Sequence, residues 1–119
     1  MTRPNLFLID VTDIDRSTAF YADLFEMEPV IRTPRYVPFE VAPGVLFALW
    51  TGRSDRLAGG ATGEVGLMLP GGTAAVDRIH QEWLARGVEI ITPPHDDVFG
   101  RTFVAADPDG NLVRVSPVD

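Results

Sequence analysis

Short apolar runs, each broken by turn-forming residues, alternate along this chain with two stretches whose apolar positions recur at helical spacing. Residues 6–11, Leu-Phe-Leu-Ile-Asp-Val, predict a strand, and residues 12–16 a turn into a helix. Asp13 or Asp15 caps that helix and favours its positive end, while Phe20, Tyr21 and Leu24 fall on one face. Pro29 follows. Strands are then expected over 29–31, 36–41 and 45–50, the last two joined by a Pro43-Gly44 turn.

The same order returns in the second half. Residues 65–69 read as a strand, Pro70-Gly71-Gly72 as a turn, and Thr73 as the cap of a second helix. Val76, Ile79, Trp83 and Leu84 form its apolar stripe, and Gly87 is placed to end it in a left-handed conformation. A strand over 88–91 is expected to halt at Pro93-Pro94. Asp107-Pro108-Asp109-Gly110 has the residues of a type I turn and closes a hairpin. On its returning strand, alternation sends Val113 and Val115 to a core, and Leu112 and Arg114 to the opposite face. The chain therefore reads as α+β, with two tandem βαβββ modules over about 4–51 and 64–117. Residues 52–63, rich in glycine and without apolar period, read as the linker between them.

Composition narrows the chemistry. The 119 residues, 45% hydrophobic and 23% charged, suit one globular domain. A net charge of −7 without any Lys/Arg cluster argues against nucleic acid as a partner. With no cysteine there is no disulfide, thiol nucleophile or cysteine-zinc site. No run is long enough to span a bilayer or to serve as a signal peptide, so no membrane partner and a cytoplasmic location are expected. His95-Asp96-Asp97 reads as a polar loop, because three consecutive residues rarely converge on one ion. His80 reads as an ordinary helix histidine, and no serine sits in a nucleophile elbow. Neither a catalytic residue nor a cofactor is expected.

Asp13-Ile14-Asp15-Arg16-Ser17 leading into Phe20-Tyr21, the duplicated order, and the closing Asp107-Pro108-Asp109-Gly110-Asn111 together resemble the vicinal oxygen chelate superfamily. Glyoxalase I, extradiol dioxygenases and the bleomycin and fosfomycin resistance proteins belong to it. The resemblance implies mixed sheets curled into a cup and completed in a homodimer. Several stretches are similar to the phenazine-resistance members in particular: Thr33-Pro34-Arg35-Tyr36-Val37, Leu46-Phe47-Ala48-Leu49-Trp50, Gly66-Leu67-Met68-Leu69-Pro70 and Asp97-Val98-Phe99-Gly100-Arg101-Thr102-Phe103. What this implies is binding of a planar aromatic antibiotic of the phenazine type, held unaltered and so sequestered. The superfamily's enzymes bind a divalent metal at four positions, which fall here at Leu6, near Ala48, at Glu64 and at Arg114. Only Glu64 is able to ligate a cation and Arg114 repels one, so no metal is expected and a positive charge is left in the cup. The alternatives are a metal-dependent lyase or dioxygenase of the glyoxalase type, and a cofactor-free modifying enzyme.

Alternation then selects candidate ligand contacts. Leu46, Ala48 and Trp50 share a face of their strand, so small Ala48 beside large Trp50 offers a floor and an aromatic wall for a planar ligand. Core packing or a dimer interface is the other reading of Trp50. Trp83, in the stripe of the second helix, reads as core. Tyr36 has a hydroxyl to offer, and Phe99 before Gly100 reads as a lid or as a hydrophobic plug. Arg114 is either an exposed residue paired with Glu64 or a donor to a ligand carboxylate, and both hold if Glu64 orients the guanidinium. Met68 and Arg101, within the stretches above, complete the expected set.

Overall fold

The computed structural model describes residues 3–51 and 63–118, so most of the expected linker lies outside the described residues. The chain divides into two compact units, Met1–Ala61 and Thr62–Asp119.

In the first unit, β1 (Leu6–Asp10), α1 (Ile14–Phe25), β2 (Tyr36–Ala42) and β3 (Val45–Trp50) follow one another. The sheet order is β1-β3-β2, with β1 parallel and β2 antiparallel to β3. Asp13 caps α1, its side chain accepting the Arg16 amide N–H at 3.0 Å. Glu26 ends the helix in the left-handed region, and the Met27 N–H returns to the Ala22 carbonyl at 3.0 Å. One face of α1 is buried on the sheet, where Tyr21 meets Phe47 edge-on at 5.2 Å between ring centroids. The strand expected over 29–31 does not form. Its one bond to the sheet runs from the Val30 N–H to the Pro38 carbonyl at 2.8 Å. Pro29 and Pro38 both lack the N–H that a reciprocal ladder needs.

The second unit holds β4 (Glu64–Leu69), α2 (Gly72–Ala85), β5 (Glu89–Asp97), β6 (Gly100–Ala106) and β7 (Leu112–Pro117). Here the full strand-helix-strand-strand-strand order is present, arranged β4-β7-β6-β5 with β4 and β7 parallel. Thr73 is not the cap of α2. Gly71, at φ 103°, takes that position without a side-chain bond, because two successive glycines turn the chain directly out of β4. At the other end Gly87 has φ 78°, its N–H reaching the Leu84 carbonyl at 3.1 Å and the Val88 N–H the Trp83 carbonyl at 3.0 Å. That double bond pattern closes the helix as its glycine predicts. Trp83 is buried with its ring 5.5 Å from Phe103, whereas Leu84 is exposed.

Two further expectations about β5 are corrected. The strand runs through Pro93-Pro94, and His95-Asp96-Asp97 is its end rather than a loop. Being the edge strand, β5 leaves one side without a ladder, so prolines cost it little there. Register shifts between Ile90 and Thr92 and between Thr92 and His95 absorb the surplus residues. No helix among the described residues is long and apolar enough to cross a membrane.

Candidate ligand-binding site

Each sheet buries one face under its helix, and each of the named candidates is placed by which face it takes. In the first unit Phe47 and Leu49 lie on the α1 side, which turns Leu46, Ala48 and Trp50 to the open face. The register sets Tyr36 and Asp10 beside Trp50, and Pro38 and Leu8 beside Ala48. Ala48 is fully buried, while Trp50 and Tyr36 are partly exposed. The sequence reading missed Arg35, whose guanidinium carbon stands 5.4 Å from the centre of the Trp50 ring. Its backbone is fixed by the Thr51 N–H donating to the Arg35 carbonyl at 2.9 Å. A cation in a loop has no periodic signal, and the strand pairing alone brings it over the indole.

In the second unit Val113 and Val115 are completely buried, leaving Leu112 and Arg114 on the open face. Arg114 lies diagonally across the sheet towards Glu64, with Nε donating to one carboxylate oxygen at 3.2 Å and Nη2 to the other at 3.3 Å. On the β4 side the neighbour directly beside Arg114 is Gly66, which offers no side chain in between, and on the β6 side it is Val104. A Cβ added at Gly66 would meet nothing within 4 Å, so the space on that side of the guanidinium is open. Phe99, in the β5–β6 turn, lies over Arg114 with 5.0 Å between ring centre and guanidinium carbon. Met68 follows Gly66 on the same face and is well exposed.

The pairing of Arg114 with Glu64, one of the two readings of Arg114, is present, and the carboxylate offsets the charge of the guanidinium. What remains is directional: of the five guanidinium N–H donors, two are taken by Glu64, and no acceptor among the described residues takes the other three. Arg101 does not join this group. Its Nε donates to Asp77 of α2 at 3.1 Å, which puts it on the helix side of the sheet with Phe103.

The closing turn holds these groups in register. Asp107 and Asn111 are buried, and one Asp107 oxygen accepts the amide N–H of both Asp109 and Asn111 at 2.8 Å. The Asn111 amide donates to the other oxygen at 2.9 Å, while its carbonyl oxygen accepts the Gly63 N–H at 3.0 Å. Gly63 precedes Glu64, so the turn fixes where the partner of Arg114 begins its strand. At the far edge of the face, His95 Nδ1 lies 3.0 Å from the Pro93 carbonyl and Nε2 3.3 Å from Asp97. The Pro93 carbonyl, and then Asp97, raise the His95 pKa above its ordinary value. The Val98 N–H, and then His95, hold the Asp97 carboxyl below the usual carboxylate range.

The four positions at which the resemblance would place a metal offer a single carboxylate, that of Glu64. Leu6 and Ala48 are apolar, and Glu64 is engaged by a guanidinium. Among the described residues no group of three or more His, Cys, Asp or Glu is gathered closely enough to hold an ion.

Residues 3–115 match the family model of the Glyoxalase/Bleomycin resistance protein/Dioxygenase superfamily, and the chain belongs to that superfamily. It is 44% identical to the phenazine antibiotic resistance protein EhpR of Enterobacter agglomerans over 98% of this chain and 92% of the relative. A protein of Agrobacterium tumefaciens solved in solution is 32% identical, with a TM-score of 0.85 over 100% of this chain and 99% of that one. The bleomycin-binding protein of Streptomyces verticillus shares the fold, with a TM-score of 0.72 at 17% identity over 100% and 98% of the two chains. The superfamily contains both enzymes and binding proteins.

Proposed function

We propose that the protein binds a planar aromatic antibiotic of the phenazine type and confers resistance by sequestering it unaltered. The observation that carries this reading is Arg114, fixed from one side by Glu64 and Phe99 and left with three open donors beside the bare Gly66 backbone. A guanidinium oriented in this way recognises a carboxylate or ring acceptor at the edge of a flat ligand. Taken by itself, the first unit presents the partly exposed Trp50 as a stacking surface for a flat ring, with Tyr36 beside it on the ladder and the small, buried Ala48 two residues before it. Because Glu64 offsets the charge of Arg114, affinity comes from geometry and stacking more than from net attraction. The likeness to EhpR supports resistance as the role, and donor sets that do not suit a metal favour binding over the metal-dependent lyase or dioxygenase. The working form is a homodimer in the cytoplasm, without nucleic acid or membrane as partner.

Titration of the purified protein with a phenazine monocarboxylate, followed by tryptophan fluorescence, tests the reading. Saturable quenching is expected, weakened about threefold to tenfold in Trp50→Ala by loss of the stack. Absence of binding by the wild-type protein would overturn it. Recovery of a chemically altered ligand after long incubation would replace sequestration with catalysis.

A further inference from the structure

We propose that His95 is a positioning residue for the Arg114 site, fastening the turn that carries Phe99 and doing so only as the imidazolium. The switch stands on geometry, and its consequence for ligand binding rests on the reading given above. His95 Nδ1 faces the Pro93 carbonyl oxygen at 3.0 Å, and Nε2 faces an Asp97 carboxylate oxygen at 3.3 Å. Both neighbours are acceptors. A neutral imidazole carries one N–H, so one nitrogen would direct a lone pair at an oxygen, whereas the cation donates to both. Asp97 in turn accepts the Val98 N–H at 2.7 Å, and the next residue is Phe99, whose ring rests on Arg114. Imidazolium, carboxylate, turn and aromatic ring form one connected series, anchored at its start by the stiff Pro93-Pro94 backbone.

The charged groups facing His95 act in opposite senses. Asp97, on its own strand, favours the cation, and Arg114, on β7, opposes it. Its partner across the ladder on β6 is the uncharged Thr102. Neighbouring Asp96 stands in register with Arg101, which is engaged by Asp77 of α2. The balance favours protonation, so the clamp is closed below the raised His95 pKa and opens as pH rises through it. With the clamp closed, Phe99 stays on the guanidinium and Arg114 meets its ligand already oriented. With it open, ligand binding must first order both side chains.

An NMR titration of the ligand-free protein separates this switch from the binding reading. The His95 imidazole is expected to titrate above its ordinary value, with Phe99 ring and Arg114 Nε–H resonances moving at the same midpoint. In Asp97→Asn the His95 midpoint falls and the Phe99 response disappears, while His80, packed on Phe103, reports that the fold is kept. Affinity for a phenazine monocarboxylate should weaken about threefold as pH crosses the wild-type midpoint. It should be independent of pH in Asp97→Asn and His95→Gln. Phe99 and Arg114 resonances that ignore the titration of His95 overturn the proposal, as does an unchanged midpoint in Asp97→Asn. Wild-type binding that is tight yet flat with pH removes the positioning role. If the wild type binds no phenazine at any pH while Phe99 and Arg114 still follow His95, the clamp stands and the binding reading fails.

Discussion

Arg114 owes its orientation to three neighbours that act differently: Glu64 takes two donors, Phe99 covers one face, and Gly66 leaves room beside it. Replacing it should therefore separate binding from folding. In Arg114→Met, affinity for a phenazine monocarboxylate is expected to fall by about tenfold or more, since the oriented donors are lost. Stability should shift by no more than about 1 kcal/mol, because the Glu64 pair is partly solvated. Gly66→Val tests the open space beside Arg114 from the other direction. The added side chain meets open space and suits a strand, so the urea midpoint should hold, while ligand affinity drops about tenfold as the space is filled. Arg114 and Glu64 were legible as a pair, because alternation put one on the open face and charge asked for the other. Gly66 and Arg35 were not, since neither a missing side chain nor a loop cation marks its own importance.

At the level of elements, the closing turn does more than reverse the chain. Asp107 and Asn111 are buried, bonded to each other and to the start of β4, so removing the Asn111 side chain takes one donor from Asp107 and the acceptor from the Gly63 N–H. Asn111→Ala is expected to cost about 1–3 kcal/mol in denaturant unfolding. Gly87→Ala should cost about 1 kcal/mol, because the left-handed cap of α2 then carries a Cβ. The β5–β6 turn has its own pH window. His95, raised, contributes stability that is present at low pH and lost as pH rises through its folded value. Asp97, lowered, contributes stability that is lost as pH falls through its folded value. Amide exchange at Val98, corrected for intrinsic rates, should thus be slowest between those two limits. The same strand shows why a sequence rule failed: Pro93-Pro94 stops a central strand but not an edge one, and edge position is a property of the sheet.

For the molecule as a whole, family membership and the likeness to EhpR make antibiotic resistance the natural frame. Within it, the proposed metal-free binding rests on the donor sets of the described residues and is open to direct test. Ligand binding should survive dialysis against a chelator unchanged, and elemental analysis of the purified protein should find no stoichiometric Ni, Zn or Fe. With a net charge of −7 nucleic acid is not an expected partner, and added DNA should not compete for the ligand.

Local patterns were enough to define the strand-helix-strand-strand-strand order of the second unit, the terminal turn and the open-face position of Arg114, because period, turn chemistry and residue type are written within a few neighbours. Other features depended on residues meeting across elements: the two-point geometry of the Glu64–Arg114 pair, the place of Gly66 beside Arg114 and the helix-side position of Arg101. Glu64 and Arg114 are fifty positions apart, and only the parallel register of β4 with β7 brings carboxylate and guanidinium together. A side chain's neighbours across a sheet are fixed by register, which no single strand contains.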